Sequence, residues 1–419
     1  MPSPGKPSGA SGENERAAAA LFGALSFFLA AIELLVPKPL PFMRLGLANV
    51  PLMLAIDLVT FKTFMLVAAV KVAGQALITG TLFSYVFLFS LAGTFVSAFA
   101  MYGARRFCRG LLGFTGTGVL GAVMSNTAQL FLARFFVFGN GVWAVVPPFL
   151  GMALVTGSLL GFSCELFTQK SRWYAERFCA GEKKHRGDWP RETPRQPQSL
   201  SPPVTAVGDG PPPRFHRRAA FLAGRFSAGS LAAAGLLMAP ALLAGGSTTA
   251  RAVQFLFFLL LAFGTGKRVR PLAVFPVMLG IVAVNLLAPH GRVLCSLGPL
   301  RVTSGALRAG LDRAFTLEAL VMLSRFSVRS DLVLPGFFGS LVSDSFRLFS
   351  ALSERRGMIQ ARNIIGSIDA LLEEITASGI AISGDDTESA ARARKTAPAH
   401  FFALALVVIL SWLPPLFLR

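Results

Sequence analysis

Charged residues are scarce in this sequence of 419 amino acids. They make up 15% of the chain, whereas 53% of the residues are hydrophobic, and a typical soluble domain carries about 25% charged residues. The four cysteines lie far apart, without the paired spacing of a zinc site or a disulfide framework. The four histidines are equally scattered. These shortages argue against an ordinary soluble domain and predict no metal-binding set.

Signatures of nucleotide binding and catalysis are also missing. The segment GTGKRV, residues 264–269, carries Arg268 where a phosphate-binding loop requires Ser or Thr, and it lacks the upstream glycine. The segment DDTES, residues 385–389, stands alone in a polar stretch and lacks the last acid of a magnesium–diphosphate motif. We therefore predict no catalytic residue and no enzymatic activity in this chain.

Long apolar runs are abundant, and several approach the roughly 20 residues that a helix needs to cross hydrocarbon. We predict an all-α, polytopic helical membrane protein. Six spans are expected in the first part of the chain, at about 17–36, 44–60, 63–80, 82–101, 116–138 and 142–167. Further spans are expected at about 219–245, 252–264, 272–287 and 401–418.

The formal net charge of +19 comes from 40 basic and 21 acidic residues. A basic balance can indicate nucleic-acid binding, but here the positive charges cluster beside apolar spans, as the positive-inside rule describes. Lys62, Arg105, Arg106, Arg109, Lys170 and Arg172 mark alternate loops. We expect a multi-pass protein of the cell membrane, in contact with the lipid bilayer, with a cytoplasmic N-terminus and no nucleic-acid partner.

Composition divides the chain into four parts. Residues 1–16 are a polar tail, and residues 17–168 hold the six predicted spans. Residues 169–218 are rich in Arg, Lys and Pro and predict a flexible cytoplasmic linker. Residues 219–419 predict a second membrane domain, in which residues 300–358 have charges at helical spacing and suit the membrane boundary.

Ionisable side chains within the first domain are the strongest sign of function, because a charge in hydrocarbon costs about 2.5–3.5 kcal/mol on insertion scales. Asp57 and Lys71 fall on consecutive predicted helices, and an ion pair would lower the cost of burying both. Gln75 follows Lys71 by four residues and shares its helix face. The pair predicts either a structural contact that sets helix register or a solute site, and the pattern does not decide between them.

A second set of polar residues lies toward the predicted outer side. Arg44 and Asn49 open the second span, whereas Asn126, Gln129 and Arg134 belong to the fifth. Hydrogen bonds between helices would explain the amides. An outer arginine above inner amides would equally suit an anionic or polar ligand, through charge-assisted hydrogen bonds.

Residues 17–168 resemble the membrane family called heptaprenyl diphosphate synthase component I, or Gx transporters. The resemblance rests on RLGLANVPLML at 44–54, on SLAGTFVS at 90–97 and on SNTAQL at 125–130. The family tends to have a histidine before the asparagine of the last motif, where this chain has Ser125. The resemblance implies a six-helix layout similar to the substrate-binding components of energy-coupling factor transporters.

Residues 214–419 resemble the transmembrane coupling component of the same transporter class, most clearly over 298–325. That family ends its coupling helices with short Ala-Arg-Gly-like motifs that dock on ATPase subunits. Arg355, Arg356 and Gly357 are the counterpart that the resemblance implies, although Arg355 replaces a small residue. A solvated, charged helix end would explain the same three residues.

Together these patterns predict a fused transport subunit. The first half would bind a small solute through Arg44, Asn49, Asp57, Lys71, Gln75, Asn126, Gln129 and Arg134. The second half would couple it to cytoplasmic ATPase subunits, which supply ATP because this chain holds no cofactor of its own. The alternative is a membrane accessory component of prenyl diphosphate synthesis.

Overall fold

The computed structural model describes residues 8–35, 46–108, 112–178, 226–244, 246–265, 271–297, 300–329, 332, 334, 336–355, 364–377 and 398–417. Helices dominate these residues, so the predicted all-α class is confirmed. Four stretches are long and apolar enough to cross a membrane: Glu15–Glu33, Phe61–Thr79, Tyr85–Phe107 and Phe114–Lys170. Shorter apolar helices follow at Ala228–Leu243, Thr248–Gly264, Val274–Leu286 and Phe401–Phe417. The protein is therefore a multi-pass helical membrane protein.

The N-terminal half, residues 17–168, contains most of six helices and is followed by a short seventh. Their bounds are α1 Ser8–Leu35, α2 Val50–Ala55, α3 Phe61–Thr79, α4 Tyr85–Phe107, α5 Phe114–Ala133, α6 Val142–Lys170 and α7 Arg172–Phe178. A 3-10 turn, Leu47–Asn49, precedes α2. A π-helical turn, Arg134–Phe138, and a 3-10 turn, Gly139–Gly141, join α5 to α6.

The C-terminal half, residues 219–419, adds seven helices and one hairpin in its described part. Their bounds are α8 Ala228–Leu243, α9 Thr248–Gly264, α10 Pro271–Leu286, β1 Val293–Leu297, β2 Leu300–Thr303, α11 Ser304–Ser327, α12 Gly336–Glu354, α13 Ile364–Ala377 and α14 Pro398–Phe417. The two strands pair antiparallel. Of the predicted linker, only residues 169–178 lie within the described residues, where they form the end of α6 and α7.

The direction of the helices defines two ends of the N-terminal bundle, which we name here. Helices α1 and α3 run side by side in the same direction, because Glu15 bonds Thr63 and Phe27 meets Gly74 further along. We call the end with the α2–α3 turn the Asp57 end. The opposite end, where α3 meets α4 and α5 meets α6, we call the Gly139 end.

The second predicted span is not one continuous helix. Helix α2 has six residues, about 9 Å at 1.5 Å per residue, and is too short to cross a membrane. All six side chains except that of Val50 are buried, so the segment runs inside the bundle. Gly46, at φ +83, begins the 3-10 turn, and Pro51 stands in the first turn of α2. The hydrophobicity of this stretch predicted its burial. It did not predict the break in the helix at Gly46, whose positive φ favours glycine.

Helix α12 joins the two halves along the side of α1. Arg16 Nη2 lies 2.6 Å from Asp344 Oδ2, and the Phe27 ring lies 5.1 Å from that of Phe346. Ser345 approaches α1 at Gly23, where the lack of a side chain permits close helix contact. The aromatic and ionic contacts make α12 part of the same core as α1 and α3.

A second joint links α13 to α7. Asp369, which is 8% exposed, accepts hydrogen bonds from the backbone N–H groups of Arg172 at 3.0 Å and Trp173 at 3.2 Å, and from the Ser171 hydroxyl. A carboxylate at this position satisfies the free N–H groups of the first turn and complements the helix dipole. A residue of the C-terminal half thus caps a helix that follows the N-terminal bundle.

The contact between α12 and α1 predicts an effect of added volume. A Cβ at Gly23 would lie 2.7 Å from Val70 Cγ1 and 2.8 Å from Ser345 Oγ, whereas a Cβ at Gly103 would meet nothing within 4 Å. Gly23→Leu should therefore lower the midpoint of thermal unfolding in detergent, since overpacking costs about 1–3 kcal/mol. Gly103→Leu is the matched control and should be neutral or stabilising, because leucine favours a helix. Equal shifts in the two variants would contradict the contact.

Candidate functional site

Lys71 is a buried basic residue in the middle of α3. It lies ten residues after Phe61, the first residue of α3, which places it about 15 Å from that end of the helix. Its side chain is 4% exposed. Apolar neighbours along α3, such as Val70 and Val72, are also buried, so the ammonium group depends on polar partners from other elements.

Two such partners come from separate parts of the chain. Lys71 Nζ donates a hydrogen bond to Asn49 Oδ1, in the 3-10 turn before α2, and another of 3.4 Å to Thr94 Oγ1, on α4. Thr94 is 6% exposed. We call these three residues the Lys71 cluster. It brings a cation, an amide and a hydroxyl together inside an apolar bundle.

The position of Asn49 depends on Glu33, near the end of α1. Glu33 Oε2 accepts hydrogen bonds from the backbone N–H groups of Gly46, at 3.2 Å, and Leu47, at 3.0 Å. Glu33 is 6% exposed, and its carboxylate satisfies donors that would otherwise be unpaired at the start of the turn. Glu33 therefore fixes the start of the 3-10 turn at the Gly139 end, and Asn49 is the last residue of that turn.

Helices α4 and α5 approach closely at Gly93. Gln129 Nε2 donates to Ser125 Oγ at 3.1 Å, and a Cβ at Gly93 would lie 2.7 Å from both of these atoms. Gly93 precedes Thr94 in the chain, so its missing side chain lets Gln129 approach the backbone of α4 next to the cluster. Of the predicted residues, Asn49 and Lys71 are therefore in direct contact, whereas Gln129 packs against α4 at the residue before Thr94.

Asp57 does not pair with Lys71, and this expectation was wrong. Asp57 lies in the α2–α3 turn at the Asp57 end, where its carboxylate forms an ion pair with Arg105, with Nε at 3.3 Å from Oδ1. Its side chain is 41% exposed. The cause is the shortness of α2, which leaves Asp57 before the start of α3, while Lys71 lies about 15 Å along that helix.

The other predicted residues have separate surroundings. Gln75 is half-buried one turn after Lys71. Asn126 Nδ2 donates to the Phe149 carbonyl at 2.9 Å and so links α5 to α6. Arg134 is exposed, and its guanidinium lies 5.8 Å from the ring centre of Trp143, which is 63% exposed. An arginine beside an exposed tryptophan is typical of the membrane–water interface, so Arg134 lies on the outside of the bundle.

The predicted coupling residues are only partly described. Arg355 directly follows the last residue of α12, and its Nε lies 3.2 Å from Glu374 Oε1 on α13. Arg44, Arg356 and Gly357 lie outside the described residues. Among the described residues, no group of three or more His, Cys, Asp or Glu side chains could hold a metal ion.

Sequence reasoning missed Thr94 and Glu33 as parts of this arrangement. Thr94 belongs to an apolar stretch in which a glycine precedes a hydroxyl, and such a pair marks a place of close helix approach. Glu33 falls near the end of an apolar run, where a buried carboxylate needs several donors. The sequence shows that both residues are polar, but it does not show which groups they hydrogen-bond.

The fold and the Lys71 cluster define a multi-pass helical membrane protein with a polar centre inside its first bundle. Residues 22–167 match the family model described as heptaprenyl diphosphate synthase component I, which confirms the resemblance predicted for the N-terminal half. Residues 230–330 match a domain of unknown function (DUF8519). No curated protein matches this chain, and no solved structure does either. The resemblance of the C-terminal half to a coupling component stays a prediction.

Replacing Asn49 and replacing Asp57 should lower the stability of the protein by different amounts. Asn49→Leu removes the oxygen that accepts from Lys71 and should lower thermal stability by about 1–3 kcal/mol, because a buried donor loses its acceptor. Asp57→Asn weakens a partly exposed ion pair and should cost about 0–1 kcal/mol. Thermal unfolding of both variants in the same detergent compares them. A larger effect at Asp57 would contradict the placement of Lys71 and Asp57.

Proposed function

We propose that this chain is the membrane subunit of an energy-coupling-factor-like transporter. The N-terminal half binds a small solute, and the C-terminal half couples it to a separate ATPase. The observation that carries the proposal is the Lys71 cluster, in which one cation and two neutral oxygen-bearing groups from three elements converge inside an apolar bundle.

The energetic argument concerns the position of Lys71. A lysine at mid-helix costs several kcal/mol in hydrocarbon unless it faces polar groups, and such residues usually line a ligand or ion site. Asn49 and Thr94 lower this cost by accepting hydrogen bonds from the ammonium group. The proposed solute therefore contacts Lys71 and Asn49, with Gln129 and Gln75 as neighbouring polar groups.

The remaining predicted residues have lesser parts in this proposal. Arg44 and Arg134 would act at the outer mouth, and Asn126 would hold α5 against α6. Asp57 contributes at the opposite end, where its pair with Arg105 ties the α2–α3 turn to the end of α4. Its distance from Lys71 separates it from a shared solute chamber.

The coupling role rests on the packing of the two halves. Helix α12 touches α1 along several turns, through Arg16, Gly23 and Phe27, and ends at Arg355. A force applied at that end by a cytoplasmic ATPase would reach the N-terminal bundle through one continuous helix. Arg355, Arg356 and Gly357 are the proposed docking residues, and the ATPase subunits hold the ATP.

The family description favours one other function, a membrane accessory component of prenyl diphosphate synthesis. In that case the Lys71 cluster would contact an isoprenoid diphosphate or a synthase subunit, because an ammonium group binds phosphate oxygens well. The two functions differ in the small molecule that accompanies the purified chain and in the protein subunits that accompany it.

The solute site is tested by native mass spectrometry of the full chain purified in mild detergent. The wild-type protein should carry a small-molecule adduct, and Lys71→Met should lose it, because the cation at the centre of the site is gone. Lys62→Met is the matched control, since Lys62 is exposed at the start of the same helix, and it should keep the adduct. Persistence of the adduct in Lys71→Met would contradict the site, and an adduct with the mass of a polyprenyl diphosphate would favour the alternative.

The coupling residues are tested by co-purification. The double substitution Arg355→Glu with Arg356→Glu should abolish recovery of ATPase subunits with the tagged chain, because both charges that could bind partner carboxylates are reversed. Arg347→Glu, at an exposed position of α12, should leave recovery unchanged. Retention of the ATPase subunits by the double variant would disprove the docking assignment.

A further inference from the structure

The connection between α5 and α6 has an unusual backbone. Helix α5 passes into a π-helical turn at Arg134–Phe138, and Gly139 follows with φ +53 and ψ −134. This conformation is open to glycine and strained for other residues. Turns of the π type leave the regular hydrogen-bond ladder and often occur at functional sites. The connection therefore needs partners from outside its own helix.

Asn285, on α10 of the C-terminal half, supplies one such partner. Its Nδ2 donates to the Val137 carbonyl at 3.0 Å and to the Ile281 carbonyl of its own helix at 2.7 Å. Its Oδ1 accepts a hydrogen bond from Arg313 Nη1 on α11. Asn285 is 3% exposed, so its amide is fully enclosed and its orientation is set on both sides.

Arg313 completes the joint by lying against the glycine of the turn. A Cβ at Gly139 would be 2.5 Å from Arg313 Nη1, and a Cβ at Gly141 would be 2.2 Å from the Val284 carbonyl oxygen. Two glycines of the connection thus admit α10 and α11 at close range. Arg313 is half-buried, and this burial, together with the positive charge of Arg251, lowers its pKa.

Helix α11 also reaches the other connection at the Gly139 end. Ser324 Oγ donates to the Gly80 carbonyl at 2.8 Å and accepts from the Phe83 N–H at 3.1 Å. Ser324 is 0% exposed and lies eleven residues after Arg313, about 16 Å along the helix. One helix of the C-terminal half therefore bonds the α3–α4 connection through Ser324 and lies against the α5–α6 connection through Arg313.

This end of the bundle leads toward the Lys71 cluster. Gly80, at the end of α3, lies nine residues beyond Lys71, or about 14 Å. The turn that carries Asn49 also starts here, below Glu33. A change in the position of the α5–α6 connection would alter the surroundings of Gln129, which lies one turn before Ala133, the last residue of α5.

We propose that Asn285 and Arg313 are positioning residues that hold the α5–α6 connection against α11, so that the C-terminal half controls access to the Lys71 cluster from the Gly139 end. The control of access rests on the proposed solute site, whereas the joint itself is supported by the contacts described above. Movement of α10 and α11, driven by the ATPase, would release the Val137 carbonyl and let the connection open.

The joint is tested by hydrogen–deuterium exchange of the full chain in detergent. Asn285→Leu and Arg313→Met should each raise exchange in peptides covering residues 134–141 by about tenfold, because the connection loses its partners. Arg313→Lys keeps a charged donor and should restore most of the protection. Arg308→Met, at an exposed position of the same helix, is the matched control and should leave exchange as in the wild type.

A second readout separates positioning from general destabilisation and from the solute site itself. Native mass spectra of Arg313→Met should show a reduced fraction of adduct, whereas Arg308→Met should show the wild-type fraction. Lys71→Met should lose the adduct while exchange at 134–141 stays unchanged. Unchanged exchange in Arg313→Met and Asn285→Leu overturns the joint, and raised exchange with a full adduct fraction overturns its control of access. If the wild-type chain carries no adduct, the proposed function fails, and exchange alone then decides whether the joint exists.

Discussion

The burial of one ammonium group, that of Lys71, is the constraint on which the rest of the structure depends. Its environment must supply hydrogen-bond acceptors within an apolar bundle, since a buried charge without partners is too costly. Asn49 and Thr94 meet this requirement, and each needs its own support. Asn49 lies in the turn whose first backbone N–H groups are bonded by Glu33, and Thr94 follows Gly93, where α4 packs closely against α5. The interrupted second span thus supplies one of the acceptors that the buried cation requires.

The two halves of the chain are joined on several sides. Helix α12 lies along α1, Asp369 of α13 caps α7, and α11 crosses the Gly139 end of the bundle. These joints use different chemistry, namely an ion pair with aromatic contacts, a carboxylate cap and enclosed hydrogen bonds. Packed interfaces switch between discrete arrangements and do not deform continuously. A displacement of the C-terminal half would therefore change the packing at both ends of the N-terminal bundle.

Periodicity and hydropathy predicted the helical class and the approximate places of the long helices, because both depend on local sequence. They also placed Lys71 deep inside the bundle, where it is buried. The pairing of Asp57 with Lys71 failed because hydropathy cannot distinguish a continuous span from a short buried helix flanked by turns. The exposed position of Arg134 beside Trp143 also could not be predicted, since helical spacing tells which residues share a face but leaves open whether that face meets lipid or protein. Thr94 was missed because a single hydroxyl in an apolar helix carries little signal by itself.

The sequence alone determined that this is a multi-pass helical membrane protein with ionisable groups in its apolar segments, because composition and run length follow from the chemistry of the bilayer. It also determined the resemblance of residues 17–168 to one family. Tertiary structure decided which polar groups meet. The partners of Lys71, Asn285 and Asp369 come from segments separated by tens to hundreds of residues, and such contacts depend on how helices pack and where their ends fall. That information is distributed over the whole chain and is absent from any local pattern.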